Sequence, residues 1–138
     1  MTFSRLIIGA FLTLPSFALA ADFAKCNPSG SQLEMTACAV DDLKQADSEL
    51  NEVYQMLLIK QADNKVFIQK LRGAQRAWVA FRDAELEAMY ACESENQNSC
   101  WGSMLPLCRS SYMAKLTRDR TDRLRDLSIQ GPPADQCH

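Results

Sequence analysis

The chain has 138 residues, of which 47% are hydrophobic, and its 15 basic and 17 acidic side chains give a formal net charge of −2. That charge argues against a nucleic-acid-binding protein, because such proteins depend on cations that neutralise phosphates. The length suffices for one domain with a single modest core.

The first twenty residues have the pattern of a signal peptide. Arg5 supplies a positive charge, and the apolar run LIIGAFLTLPSFALA at 6–20 is too short for a stable membrane span and ends in a signal-peptidase pattern. No cysteine follows at once, so we expect no lipid anchor and no stable membrane anchor. We therefore expect cleavage after Ala20, with Ala21 one residue later as the alternative. We also expect a single mature domain over 21–138 with a net charge of −3, and a periplasmic or secreted location.

The mature chain carries six cysteines. An even number behind an export signal is typical of disulfides formed in an oxidising compartment. Metal binding is the alternative, but no C-x-x-C pair is present and the one histidine, His138, is the last residue, so we expect neither metal nor cofactor. Sequence alone does not choose a pairing among Cys26, Cys38, Cys92, Cys100, Cys108 and Cys137.

The first predicted helix begins at the sequence SQLE, residues 31–34. Ser31 can cap the helix and Glu34 can reach back to it, which is a capping box. Asp47 falls inside the apolar stripe of this helix, and Asn51 lies one turn beyond. The stripe consists of Val40, Leu43, Leu50, Tyr54 and Leu57.

Two further helices follow the turn ADNK at 62–65. Asp63 or Asn64 can cap the second helix, and the polar segment 92–102 should be a loop. Ser103 can cap the third helix, which tolerates Pro106 in its first turn. Short connections between amphipathic helices predict an all-α antiparallel three-helix bundle stapled by disulfides. The inner faces are Phe67, Leu71, Ala74, Trp78, Phe81 and Met89 in the second helix, and Leu105, Cys108, Tyr112, Leu116, Leu124 and Leu127 in the third.

Several polar side chains lie on these inner faces. Arg82 shares a face with Trp78, and Arg120 lies between two inward leucines, so both cations would be costly without partners. Asp47 can bond to Arg82, to Arg120 or to both, and we then expect Asp47→Ala to destabilise the fold by several kcal/mol. The predicted semi-buried polar network consists of Asp47, Asn51, Tyr54, Gln75, Trp78, Arg82 and Arg120.

Catalysis is the other interpretation of these residues. One aspartate and two arginines, with no second carboxylate, nucleophile or usable histidine beside them, are poor equipment for acid–base chemistry. We therefore expect a protein that is not an enzyme. Trp101, in the polar loop, is either packed over the helix ends or exposed for a partner.

Three blocks of the sequence resemble a known family. They are CAVDDLKQADSELNEVYQMLL at 38–58, LRGAQRAWVAFRDAE at 71–85 and GSMLPLCRSSYMAKLTRDRTDRL at 102–124. In this order and spacing they are similar to the LprI-like lysozyme-inhibitor family of exported bacterial proteins. The resemblance covers about 26–127, leaves a C-terminal tail at 128–138, and implies an all-helical domain that inhibits lysozyme in the cell envelope.

The resemblance also suggests a disulfide map. The family usually has cysteines where this chain has Leu86 and Tyr112, and their joint absence is expected if they bridge the second and third helices. Cys92 and Cys108 lie about one turn further toward the loop and could re-make that bridge. The implied pairs are then Cys26–Cys38, Cys92–Cys108 and Cys100–Cys137.

For function, the resemblance implies an exported inhibitor of lysozyme, and the composition of one loop suggests that it occludes the active site of a basic lysozyme. The candidate binding surface is the loop ESENQNSCWGS at 93–103. An adaptor of the cell envelope is the alternative, binding another periplasmic protein through the acidic positions Asp42, Glu49 and Glu52 without inhibiting lysozyme. The loop residues expected to contact the partner are Glu93, Glu95, Trp101, Gly102 and Ser103.

Overall fold

A computed structural model describes residues 25–131, so the predicted signal peptide at 1–20 and Cys137 lie outside the described residues. The helices are α1 (Gln32–Lys60), α2 (Lys65–Met89), α3 (Asn98–Trp101) and α4 (Leu105–Gln130), with a 3₁₀ turn at Gly102–Met104 before α4. The three long helices confirm the predicted all-α bundle. Short α3, inside the segment predicted to be a loop, was not foreseen.

The starts of the first two helices follow the predicted capping chemistry. The Ser31 hydroxyl accepts a hydrogen bond from the amide of Glu34, and the Glu34 carboxylate accepts one from the amide of Ser31 at 2.7 Å. The bond from the Ser31 amide, followed by one that the Ser31 hydroxyl donates to the same carboxylate, lowers the pKa of Glu34. At α2, the Asn64 side chain accepts from the amide of Phe67 at 3.0 Å.

The start of α4 differs from the prediction. The helix begins at Leu105 without a side-chain cap, and the Ser103 hydroxyl donates instead to Gln32 Oε1 of α1 at 3.0 Å. Gly102 turns the chain with a φ of 63°, and the Leu105 amide donates back to the Gly102 carbonyl. The hydrogen bond of this 3₁₀ turn thus satisfies the Leu105 amide, which a Ser103 cap would otherwise have satisfied.

The helices α1 and α4 run parallel and make the closest contact in the bundle. Small side chains allow this approach, since Ala46 and Ala114 have no exposed surface and Thr117 and Thr121 almost none. Two ion pairs cross the same interface, and in each an acidic residue of α1 meets an arginine of α4: Asp42 with Arg118 and Glu49 with Arg125. The buried line of α1 is Ala39, Ala46, Leu50, Val53 and Leu57, so the predicted Val40 and Leu43 are only half-buried.

The helix α2 runs antiparallel to α4 and approaches it over a much shorter stretch. Leu71 and Leu86 are its two buried residues. Leu71 packs in one apolar cluster with Leu57 and Leu124, and Leu86 packs in a second with Tyr90 and Leu105. Phe81, predicted to face inward, is 59% exposed, because α2 stands too far from its neighbours to bury its whole apolar stripe.

The disulfides only partly match the implied map. Cys26 and Cys38 are bonded, as implied, but Cys92 is bonded to Cys100, and Cys108 is free within the described residues. The pairs Cys92–Cys108 and Cys100–Cys137 were therefore wrong. The reason is local: α2 ends at Met89, before Cys92, and α3 folds the chain back so that the Cα atoms of Cys92 and Cys100 lie 5.9 Å apart.

The connection between α2 and α4 at this end is made without a disulfide. The Tyr90 hydroxyl donates to the Cys108 carbonyl at 2.9 Å, and the Tyr112 hydroxyl donates to Glu85 at 2.8 Å. Leu86 and Tyr112, which stand at the family's usual cysteine positions, belong to the same apolar cluster. Packing and hydrogen bonds thus join the two helices where the resemblance suggested a covalent bridge.

Over residues 25–131, none of the helices has the length and apolar character needed to cross a membrane.

Candidate functional site

The predicted polar network centres on Trp78. The guanidinium carbon of Arg82, one turn further along α2, lies 5.3 Å from the centre of the indole ring, and that of Arg120, on α4, lies 5.9 Å away. Both distances fall within the range of cation–π attraction. The tryptophan therefore helps to hold two arginines that face the interior of the bundle.

Each arginine has one further predicted partner. Arg120 donates through Nε to Gln75 Oε1 at 3.1 Å, and an Arg82 terminal nitrogen lies 3.6 Å from the Asp47 carboxylate. Arg82 also pairs with the adjacent Asp83 at 2.9 Å. Burial, followed by the nearby charge of Arg123, lowers the pKa of Arg120.

The network is looser than expected around Asp47. Its side chain is 44% exposed, and Arg82 keeps Asp83 as a second partner. Although only 15% of the Arg82 side chain is exposed, it keeps Asp83 when Asp47 is removed, so the cost of Asp47→Ala should be roughly 0–1 kcal/mol and not several kcal/mol. Asn51 is exposed and Tyr54 packs beside an apolar cluster, and within the described residues no hydrogen bond joins either to the arginines.

The second predicted group, in residues 93–103, follows the C-terminal end of α2, and residues 90–104 around it are called here the stapled loop. The Cys92–Cys100 disulfide closes it, and Glu93 and Glu95 are exposed. Trp101 satisfies both open alternatives: its indole nitrogen donates to the Ala91 carbonyl at 3.3 Å, yet 41% of the residue remains exposed.

Aromatic stacking fixes the Trp101 ring. Its ring centre lies 5.3 Å from that of Tyr90 in an edge-to-face arrangement, and Tyr90 in turn meets Tyr112 edge-on at 6.2 Å. Burial raises the pKa of Tyr90, and the hydrogen bond to Glu85 raises that of Tyr112. Both phenols therefore stay neutral and act as hydrogen-bond donors at neutral pH.

Three polar residues outside the predicted set link the stapled loop to α2 and α4. Arg109 of α4 pairs with Glu87 of α2 and donates to Gln97 Oε1 at 3.3 Å, while Gln97 donates to Glu87 at 3.4 Å. The Arg109 guanidinium holds the pKa of Glu87 below its ordinary value. Sequence reasoning missed this triad because its members come from three separate segments with no common pattern.

The two predicted groups differ in what they offer to a partner. Over 25–131, no three His, Cys, Asp or Glu side chains meet in a group that could hold a metal ion. The polar network joins helices, whereas the stapled loop presents acids and an aromatic ring outward. Met89 and Met104, each about half exposed, add apolar surface at the two ends of this segment.

Residues 24–124 match the protein family described as lysozyme inhibitor LprI. The chain belongs to this family. Membership confirms the resemblance drawn from the three sequence blocks, and an inhibitor family implies a protein partner. A protein of Rhizobium meliloti (strain 1021), itself described as uncharacterised, is 34% identical over 113 residues, covering 74% of this chain and 77% of that relative. No solved structure matches the chain significantly.

Proposed function

We propose that this chain is an exported lysozyme inhibitor whose stapled loop covers the active-site cleft of a basic lysozyme. The observation that carries the proposal is the combination of a half-exposed, pinned Trp101 with exposed Glu93 and Glu95 on a loop closed by a disulfide. Family membership supplies the class of partner. Export through the segment at 1–20 would place the protein in the periplasm or outside the cell, where the disulfides persist.

Rigidity favours this loop as a binding surface. A disulfide, an aromatic pair and the Arg109 triad already restrict its conformations, so little further order must be imposed on binding. A partly exposed tryptophan is the kind of side chain that dominates binding energy at interfaces. The two carboxylates would steer association with a cationic partner. The protein acts on this view by occlusion and not as an enzyme.

The alternative adaptor function has weaker support. Two of its three acidic positions, Asp42 and Glu49, are engaged by Arg118 and Arg125 across the α1–α4 interface. Their negative charge is therefore partly neutralised by these arginines, and Glu52 remains as the exposed member without an ion pair within the described part of the chain.

The test is a lysozyme-driven cell-wall lysis assay with the oxidised mature protein, 21–138. Inhibition is expected from the native protein, and a loss of at least about tenfold from a Glu93→Lys, Glu95→Lys double variant. The matched control, Glu52→Lys with Asp63→Lys, makes the same charge change on exposed positions away from the loop.

Two results would count against the proposal. If the native protein fails to inhibit lysis at roughly tens of micromolar, lysozyme inhibition is not its activity. If the control variant loses inhibition as strongly as the loop variant, net charge is responsible and the stapled loop is not the binding surface.

A further inference from the structure

A cavity between α2 and α4 lies away from the stapled loop. It has a volume of about 390 Å³, and its α2 wall is separated from Tyr90 by roughly 24 Å along the helix. Three of its lining residues are cations, five are apolar and none is acidic. They are Phe67, Lys70, Leu71 and Ala74 of α2, and Arg120, Arg123, Leu124 and Leu127 of α4.

The cations of this cavity have unused bonding capacity. Arg120 spends its Nε on Gln75, and among residues 25–131 no carboxylate lies within 4.0 Å of Arg120, Arg123 or Lys70. Asp119 lines a neighbouring cavity of about 320 Å³ with the two arginines, yet it forms no ion pair with either. The half-buried Arg120 thus lies near the positive charge of the exposed Arg123, and no described carboxylate forms an ion pair with either arginine.

The remaining walls are apolar. Leu71 and Leu124 are buried members of the core, while Phe67 and Leu127 are half-buried and pack against it. A cavity of a few hundred cubic ångströms with apolar walls and a few convergent polar groups suits a small molecule. An anion with an apolar arm matches both features, whereas a bare inorganic anion would leave the apolar walls unused.

We propose that this cavity binds a small carboxylate amphiphile, such as a medium-chain fatty acid. Its carboxylate would bridge Arg120 and Arg123, since a guanidinium can bond a carboxylate through two nitrogens. Lys70 would stand at the rim, and the alkyl chain would lie along Phe67 and Leu127. This site is independent of lysozyme inhibition and uses none of the stapled loop.

The test is calorimetric titration of the oxidised mature protein with decanoate, below the concentration at which decanoate forms micelles. Saturable one-to-one binding is expected for decanoate, and none for acetate, decanol or decyltrimethylammonium. Arg123→Gln should weaken decanoate binding about tenfold or more, because one charge-assisted contact is lost. Arg125→Gln is the matched control on the same helix, since Arg125 pairs with Glu49 and Asp122 and does not line the cavity.

A second variant guards against an effect on folding. Ala74→Glu places a carboxylate at the cavity wall and should abolish decanoate binding while circular dichroism stays unchanged. The proposal is overturned if decyltrimethylammonium binds as well as decanoate, if inorganic phosphate binds as tightly, or if Arg123→Gln and Arg125→Gln behave alike.

Discussion

The α1–α4 interface and the contacts of α2 with the other helices are built from different kinds of side chain. Between α1 and α4, alanines and threonines with almost no exposed surface let the backbones approach closely. Helix α2 instead stands off from its neighbours and reaches them through long side chains: Trp78 and Gln75 meet Arg120 of α4, and Arg82 meets Asp47 of α1.

The bundle thus contains one closely packed pair of helices, α1 and α4, and one helix, α2, that leaves space between itself and its neighbours. The α1–α4 pair supplies most of the buried residues of the bundle. The wider spacing of α2 leaves Phe81 exposed and opens the cavity lined by Arg120 and Arg123. At its far end α2 leads into the stapled loop. Both proposed binding surfaces thus belong to the side of the molecule that is packed less tightly.

The largest expected effect tests whether the core belongs to α1 and α4. Leu57 has no exposed surface, so Leu57→Ala should lower the free energy of unfolding by about 3 kcal/mol through lost burial and a cavity. Phe81→Ala removes a larger side chain from α2 but should cost less than about 0.5 kcal/mol, since that side chain is mostly in water. Urea unfolding followed by circular dichroism measures both. Equal losses would mean that α2 is packed as tightly as α1.

The next effect concerns how α2 is held. Gln75→Ala removes the acceptor of the Arg120 Nε–H and leaves a partly buried guanidinium short of a partner, so we expect a loss of about 1.5 kcal/mol. Asp47→Ala should cost only about 0.5 kcal/mol, because Asp47 is 44% exposed and Arg82 retains Asp83. The two variants are compared by urea unfolding. A greater loss of stability for Asp47→Ala than for Gln75→Ala would mean that the Asp47 carboxylate is the main partner of the inward arginines.

The sequence predicts helices better than it predicts the distances between them. Capping at Ser31 and Asn64 depends on local chemistry and is confirmed. The inward position of Phe81 was wrong because an amphipathic pattern says which face turns inward, but not how near the next helix lies. Thr117 and Thr121 are buried, but they were not among the predicted inner-face residues, which were selected mainly for apolar side chains.

The candidate site was predictable to a similar degree. Helical periodicity and the need to partner inward cations predict Asp47 beside Arg82, Arg120 or both, and Gln75 in the same network, but they do not assign Gln75 to Arg120. The Cys92–Cys100 bond depends on the short helix α3 folding the chain back, and four residues carry too little periodicity to predict a helix.

A smaller effect, of opposite sign, belongs to the α1–α4 interface. Thr117 Oγ1 is fully buried and finds no hydrogen-bond partner within the described part of the chain, whereas the Thr121 hydroxyl donates to the Thr117 carbonyl at 2.9 Å. Thr117→Val keeps the shape and removes the unpaired hydroxyl, so we expect stabilisation by about 1 kcal/mol. Thr121→Val, its matched control, should be neutral or destabilising. If thermal unfolding places both variants below the native protein, the Thr117 hydroxyl has a partner after all.

The smallest effect is the pH dependence of the ion pair between Asp42 and Arg118. Hydrogen bonds from Arg118 hold the pKa of Asp42 below its ordinary value of 3.8. A carboxylate with a depressed folded-state pKa stabilises the fold fully above its unfolded-state value, and that contribution is lost as the pH falls through the folded-state value. The native protein should therefore lose stability below about pH 4, and Asp42→Asn should lose less over the same range, because it cannot release the pair by taking up a proton. Arg118→Gln should flatten the dependence of stability on pH equally, since it removes the cause of the pKa shift.

Glu34 and Glu87, whose pKa values are also lowered, keep their share of the acid dependence in both variants. Unfolding in urea at several pH values distinguishes the cases, and identical slopes for the native and Asp42→Asn proteins would mean that this ion pair does not tighten the α1–α4 interface.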